Sequence, residues 1–172
     1  NCSLVMKFSI IAAVDKNFGI GKVGKLPWDL AGDLKHFREV TKGCAVIMGR
    51  TTWLSLPERF RPLPGRLNVV LVPSGDLTVP PGVVLASSFE EAFTAIAEKW
   101  NDEVFVIGGG MVYTQAIKRP ECGRVYLTEI EAVYDCDTYF PHLPEGFVKV
   151  SESEPQIENG ATYRFVIYER KV

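Results

Sequence analysis

The chain has 172 residues, 47% hydrophobic and 23% charged, the balance of one ordinary globular domain rather than of a disordered chain. A formal net charge of -2 gives no global attraction to nucleic acid or anionic membrane, and no uninterrupted apolar run approaches the roughly 20 residues that cross a bilayer. The four cysteines (Cys2, Cys44, Cys122, Cys136) are far apart with no C-x-x-C pair and only two histidines beside them, so free thiols in a reducing cytoplasmic compartment are expected and a zinc site is not.

Residues 1–6 read as a flexible extension without the basic-then-apolar order of a secretory signal. Residues 7–14 (KFSIIAAV) are a nearly continuous apolar run, the pattern of a strand buried on both faces. Gly19 to Gly24 match G-x-G-x-x-G, yet Pro27 forbids a helix running on from the glycines. The dinucleotide fingerprint thus loses its structural context, and the segment reads as a flexible loop ending in a Pro27-Trp28 anchor. Residues 29–41 have helical spacing, with Leu30, Leu34 and Phe37 on a core-facing stripe and Asp33 beside it. A carboxylate there is costly unless paired, and desolvation would raise its pKa toward the range useful for proton transfer. The plain alternative is a boundary Asp turned to solvent.

Residues 44–48 form the next strand, followed by Gly49-Arg50-Thr51-Thr52-Trp53. Hydroxyls at the start of a short helix beside an Arg make a phosphate cradle. Arg66 ends the stiff run RPLPGR immediately before the strand 67–72, an approach that can aim a guanidinium at a carboxylate; a surface Arg is the alternative. A strand at 83–86 leads to a helix at 88–100, opened by Ser88 and Glu91 in capping-box order, with Phe89, Ala92, Phe93 and Ile96 on one side. The strand 103–108 runs into Gly108-Gly109-Gly110, where glycines let a ligand approach the backbone at the start of a helix over 110–118. Strands at 124–130, 147–150 and 162–169 complete the chain. The last two flank 154–161, with Pro155 and Asn159-Gly160, as an antiparallel hairpin at the sheet edge. Strand–helix alternation of this kind predicts an α/β sheet in a single domain, with two anion sites on the edge where such sheets bind ligands.

In order, IIAAV at 10–14, GIGKVGKLPW at 19–28, D-L-x-x-F at 33–37, VIMGRTTW at 46–53, RPLPGRLNVVL at 61–71, VIGGGMVY at 106–113, YLTEI at 126–130 and DTYFP at 137–141 resemble the dihydrofolate reductase family along residues 7–172. The resemblance implies one domain with an eight-stranded, mostly parallel sheet, a C-terminal antiparallel hairpin and helices on both faces. It also implies NADPH-dependent reduction of dihydrofolate to tetrahydrofolate, in support of one-carbon metabolism, with antifolates as inhibitors. By that resemblance Asp33 binds the pterin and promotes protonation at N5, with Trp28 and Thr128 holding it. Ile11, Ala12, Leu34, Phe37, Leu56, Leu63 and Ile107 line the substrate pocket, and Arg66 clamps the glutamate carboxylate. The NADPH set is Ala13, Ile20, Gly24 and Leu26 on a mobile flap and its approach; Gly49, Arg50, Thr51 and Thr52; Val72, Pro73 and Ser87; and Gly108, Gly109, Gly110, Met111, Val112 and Tyr113. Gly108-Gly109 matches the family's cis peptide.

Two positions depart from the family. Val72-Pro73 and Ser87 stand where relatives place hydroxyl or basic partners of the 2′-phosphate, which leaves Arg50 to set the preference for NADPH over NADH. The rival readings are the related reductase of riboflavin synthesis, disfavoured by Asp33 together with Arg66, and a non-catalytic nucleotide-binding module, which has no need of Asp33. A monomer is expected, unless the chain is the reductase part of a fusion with thymidylate synthase.

Overall fold

A computed structural model describes residues 6–100 and 102–171. The extension expected at residues 1–6, and Cys2 with it, lies outside the described residues except for Met6, which is half-buried against the core. Ten apolar or short polar segments lead into a long last strand: β1 (Phe8–Val14), β2 (Gly19–Gly21), β3 (Ala45–Gly49), β4 (Leu67–Leu71), β5 (Val84–Ala86), β6 (Val104–Val106), β7 (Cys122–Ile130), β8 (Thr138–Tyr139), β9 (Phe147–Glu152), β10 (Gln156–Glu158) and β11 (Ala161–Arg170). The helices are α1 (Ala31–Thr41), α2 (Arg50–Ser55), α3 (Phe89–Lys99) and α4 (Gly110–Ile117). No helix among the described residues is long and apolar enough to cross a membrane.

The main sheet runs β10-β11-β7-β1-β6-β3-β4-β5, parallel from β7 through β5 and antiparallel where β11 joins β7. The expected eight-strand width holds, with one correction. The 154–161 connection is not all loop, because β10 forms inside it and pairs with β11 around the Asn159-Gly160 turn, where both φ angles are positive. β7 occupies one edge of β11, so β9 and β10 follow each other along the other edge and the sheet has nine strands.

β3 and β4 are buried at every position because helices cover both faces. Ile10, Ile47 and Val69 pack with Phe89, Ala92 and Ile96 of α3 and Tyr113 and Ala116 of α4. Their neighbours Ile11, Val46 and Val70 point the other way, against Trp53 of α2 and Phe37 and Val40 of α1. Each such fully buried side chain contributes about 1.5–3 kcal/mol relative to exposure, so the two layers fix the strand ends that carry the site. α3 keeps half of its expected cap: Ser88 Oγ accepts from Glu91 N at 3.1 Å, while the Glu91 carboxylate turns instead to the Ser87 hydroxyl at 2.6 Å.

Candidate active site

The first turn of α1 carries Asp33, and that turn is held from a distance. Leu30 at its N-cap supplies no side-chain cap, and α1 begins at Ala31 rather than at residue 29. Its free N–H groups are taken by Glu158 of β10: Ala31 N donates to Oε2 at 2.7 Å and Gly32 N to Oε1 at 3.0 Å. The Tyr163 hydroxyl donates to the same Oε1 at 3.1 Å, and Asn159 Nδ2 donates to Asp29 O at 2.7 Å. A Cβ on Gly32 would sit 2.3 Å from the Tyr163 hydroxyl, so glycine is what lets the helix approach the hairpin.

Asp33 is not turned to solvent. Thr128, buried on β7, donates its hydroxyl to Asp33 Oδ1 at 2.6 Å. Burial pushes the Asp33 carboxyl above the ordinary carboxylate range; the Thr128 bond opposes this and the Glu158 charge reinforces it. Trp28 is buried edge-on to Tyr134, and its indole N–H has no protein partner. On the other side of β1 the buried Tyr113 phenol donates to Ile11 O at 2.8 Å; burial, with Asp33 adding to it, keeps that phenol neutral. Ala12 and Ala13 are half-buried beside them on β1, with Ala13 paired to Thr128.

Along α1 the expected core stripe divides. Leu30 is buried, Phe37 half-buried against the core, and Leu34 is 47% exposed, so the stripe is only partly covered beyond its first turn. Arg66 lies at the far end of that stripe: its guanidinium is 5.9 Å from the Phe37 ring and reaches the Thr41 hydroxyl at 3.5 Å. Ile11, Leu56, Leu63 and Ile107 belong to the apolar layer beneath, Leu56 and Ile107 half-buried and Leu63 buried at 8% exposure.

The glycine turns after β3 and β6 are neighbours. Gly49 N donates to Gly108 O at 2.8 Å, and the Gly108-Gly109 peptide is cis. Gly49 has no room for a side chain, since a Cβ would lie 2.9 Å from Val112 Cγ2. Gly110 is as tight, its Cβ falling 2.7 Å from Thr138 Cγ2. The Thr52 hydroxyl lies against Gly108 and Gly109, while Arg50, Thr51 and Met111 are exposed around them. An exposed guanidinium, two hydroxyls and the N-termini of α2 and α4 make a donor set that fits a diphosphate.

The segment over this edge is more ordered than the expected loop. Gly19–Gly21 pair with Thr138–Tyr139, and Val23-Gly24, both at positive φ, turn between Lys22 and Lys25. No helix follows the glycines, as Pro27 required. The turn's tip and α2 enclose a cleft of about 320 Å³, lined by Val23, Gly24, Lys25, Thr51, Leu54 and Ser55. Ile20 is half-buried behind it, and Leu26 is exposed. A hollow of about 360 Å³ between Asp15, Glu129 and Arg164 contains none of these residues.

Three residues expected at the cofactor have no free hydrogen-bond donor directed there. Val72 is in the core, with its N–H donated to Ala86 O and its carbonyl accepting from Gly75 N, so it has no free N–H to offer a phosphate. Ser87 gives its hydroxyl to Glu91, and Pro73 is exposed without an N–H. Sequence reading missed Glu158 and Asp15. Asp15, only 4% exposed, accepts from Asn17 N, Gly19 N and Tyr134 N and so anchors the β2 segment. Its local sign was an Asp two residues before Asn17 at the end of a strand; Glu158 has none, because its partners lie at the other end of the chain.

Comparison with known proteins gives one family: the model for dihydrofolate reductase matches residues 7–170. A dihydrofolate reductase of Drosophila melanogaster is 38% identical, over 96% of this chain and 99% of its own length. One of Aedes albopictus is 40% identical, over 95% of this chain and 97% of its own. A bifunctional dihydrofolate reductase-thymidylate synthase of Daucus carota is 44% identical over 95% of this chain. The chain spans 34% of that relative's length.

Proposed function

The chain belongs to the dihydrofolate reductase family, and from that premise we propose that it reduces 7,8-dihydrofolate to 5,6,7,8-tetrahydrofolate with NADPH, feeding one-carbon metabolism. The observation that carries the reading is the line Asp33, Phe37, Thr41 along one side of α1, with Arg66 over its far end. Eight residues of helix span about 12 Å at 1.5 Å per residue. That is the span from a ring bearing an amino group and an N–H, through an aromatic linker, to a carboxylate. A buried carboxylate suits the first, Phe37 the second and a guanidinium the third.

In this reading Asp33 accepts from the pterin amino group and ring nitrogen and orients the ring. Thr128 fixes the carboxylate's rotamer through its short hydrogen bond. Because burial raises the proton affinity of Asp33, the group helps a proton reach N5 as C6 is reduced. When bound, the reduced nicotinamide supplies the hydride to C6. Arg50, Thr51, Thr52 and the glycine turns hold the diphosphate, and Tyr113 and Ile107 flank the contact between nicotinamide and pterin. Pairing Asp33 with Arg66 favours a folate over the precursor of riboflavin. The alignment with bifunctional relatives supports a second reading of context, in which the same chemistry works beside a thymidylate synthase.

A stopped-flow trace of NADPH oxidation by dihydrofolate tests the activity directly, and no turnover would refute it. With Asp33→Asn we expect turnover to collapse near neutral pH and to return largely in acid, where the substrate itself is protonated. A parental pH profile in that variant would refute the role of Asp33.

A further inference from the structure

We propose that Glu158 is a positioning residue for this reaction: from β10 it fixes the turn of α1 that bears Asp33 and sets a negative charge against the Asp33 carboxyl. The proposal rests on the functional reading above but uses residues that reading does not. Three donors converge on the one carboxylate, the N–H groups of Ala31 and Gly32 and the Tyr163 hydroxyl, so both oxygens are engaged. Asp33 sits one residue beyond Gly32, so any slip of Glu158 moves the turn on which the reacting carboxylate is mounted. α1 has no side-chain cap of its own to substitute.

The ionised state of Glu158 is secure. Its two backbone bonds hold its carboxyl below the ordinary carboxylate range, with the Tyr163 hydroxyl adding to them. Thr128 from β7 bonds Asp33 directly, the neutral phenols of Tyr113 from α4 and Tyr163 from β11 stand in its electrostatic neighbourhood, and Glu158 from β10 is bonded to the N–H of Gly32, the residue before it. Glu158 is the charged member of that set; after burial and the Thr128 bond its like charge is the third influence on Asp33, and it disfavours ionisation. The same side chain therefore orients Asp33 and increases its hold on a proton.

The test separates a cap from a charged partner. Glu158→Gln keeps one acceptor and removes the charge. The alkaline limb of kcat/KM for dihydrofolate, where activity falls as Asp33 loses its proton, is then expected to move to lower pH. Glu158→Asp keeps the charge on a shorter stem; its Tm should fall while the limb stays in place. Asn159→Ala releases the neighbouring tether to Asp29 without changing charge, and it too should leave the limb where it was. A uniform loss of kcat in Glu158→Gln, with the limb unmoved, would overturn the charged role.

A second measurement works on the native chain and requires neither a variant nor turnover. In a carbon-13 titration of the carboxyls, the Glu158 resonance should show a minor inflection at the midpoint of Asp33, as coupled sites do. A Glu158 resonance blind to the Asp33 titration would overturn the proposal. Because this readout is independent of activity, its failure is distinct from failure of the chain to reduce dihydrofolate.

Discussion

Replacing Thr128 by valine removes one hydroxyl at nearly constant volume, and the hydroxyl has one evident task. It is buried and donates to Asp33 Oδ1 at 2.6 Å. Hydrogen bonds to a charged group contribute about 1.5–3 kcal/mol, against about 0.5–1.5 for neutral pairs. At a pH where Asp33 is ionised, Thr128→Val should therefore cost about 2 kcal/mol, or about 4–8 °C in Tm for a domain of this size. In acid, where Asp33 is protonated in the fold, the lost bond is a neutral one and the drop should shrink. The linkage has the same sign. A carboxyl whose folded pKa lies above its unfolded value contributes stability that is full below the unfolded pKa and is lost as pH rises through the folded one. Thr128 opposes the upward shift of Asp33, so its removal raises the folded pKa further and enlarges that loss at neutral pH. Circular dichroism melts at the two pH values give the stability difference. The pH profile of kcat/KM gives the second readout, an alkaline limb displaced upward, opposite to the displacement expected for Glu158→Gln. Equal drops in Tm at both pH values, or a limb moved toward acid, would refute the reasoning.

Arg66→Leu should weaken dihydrofolate and methotrexate binding by about 10- to 100-fold, the loss of a charge-assisted contact of about 1.5–3 kcal/mol, while NADPH affinity measured by fluorescence quenching stays near its parental value. Equal loss of all three ligands would point to misfolding. For the cofactor, Val72 has no free N–H, and Ser87 is committed to a carboxylate. On the proposed function Arg50 is then the cation assigned to the 2′-phosphate, and one such contact corresponds to a kcat/KM ratio of NADPH to NADH of no more than roughly 100. A ratio in the thousands would show that another cation serves the phosphate.

Long apolar runs were legible because burial on both faces leaves a continuous signature, as at Ala45–Gly49 and Leu67–Leu71. Gly19–Gly21, Thr138–Tyr139 and Gln156–Glu158 were not, being two or three residues long and defined by partners rather than by side chains. At Asp33 the helical spacing located the carboxylate but left its orientation open; Thr128, at a sequence separation of 95, decides it. Leu34 read as core because spacing cannot distinguish a face turned to the interior from one only partly covered. Val72, expected at the cofactor, has its side chain in the core, a placement that its position just after an apolar strand did not distinguish.

The cap on α1 also has a consequence in time. Glu158 follows Ala31 by 127 positions, so at about 5–20 residues per second a ribosome completes the helix's partner roughly 6–25 seconds after the helix itself. During that interval the nascent chain already displays Asp33 on a turn whose amide hydrogens have found no acceptor. A product terminated before the β10–β11 hairpin would lack the acceptor that fixes the turn bearing Asp33. Competence then waits on the segment in which β10 and β11 close around Asn159-Gly160.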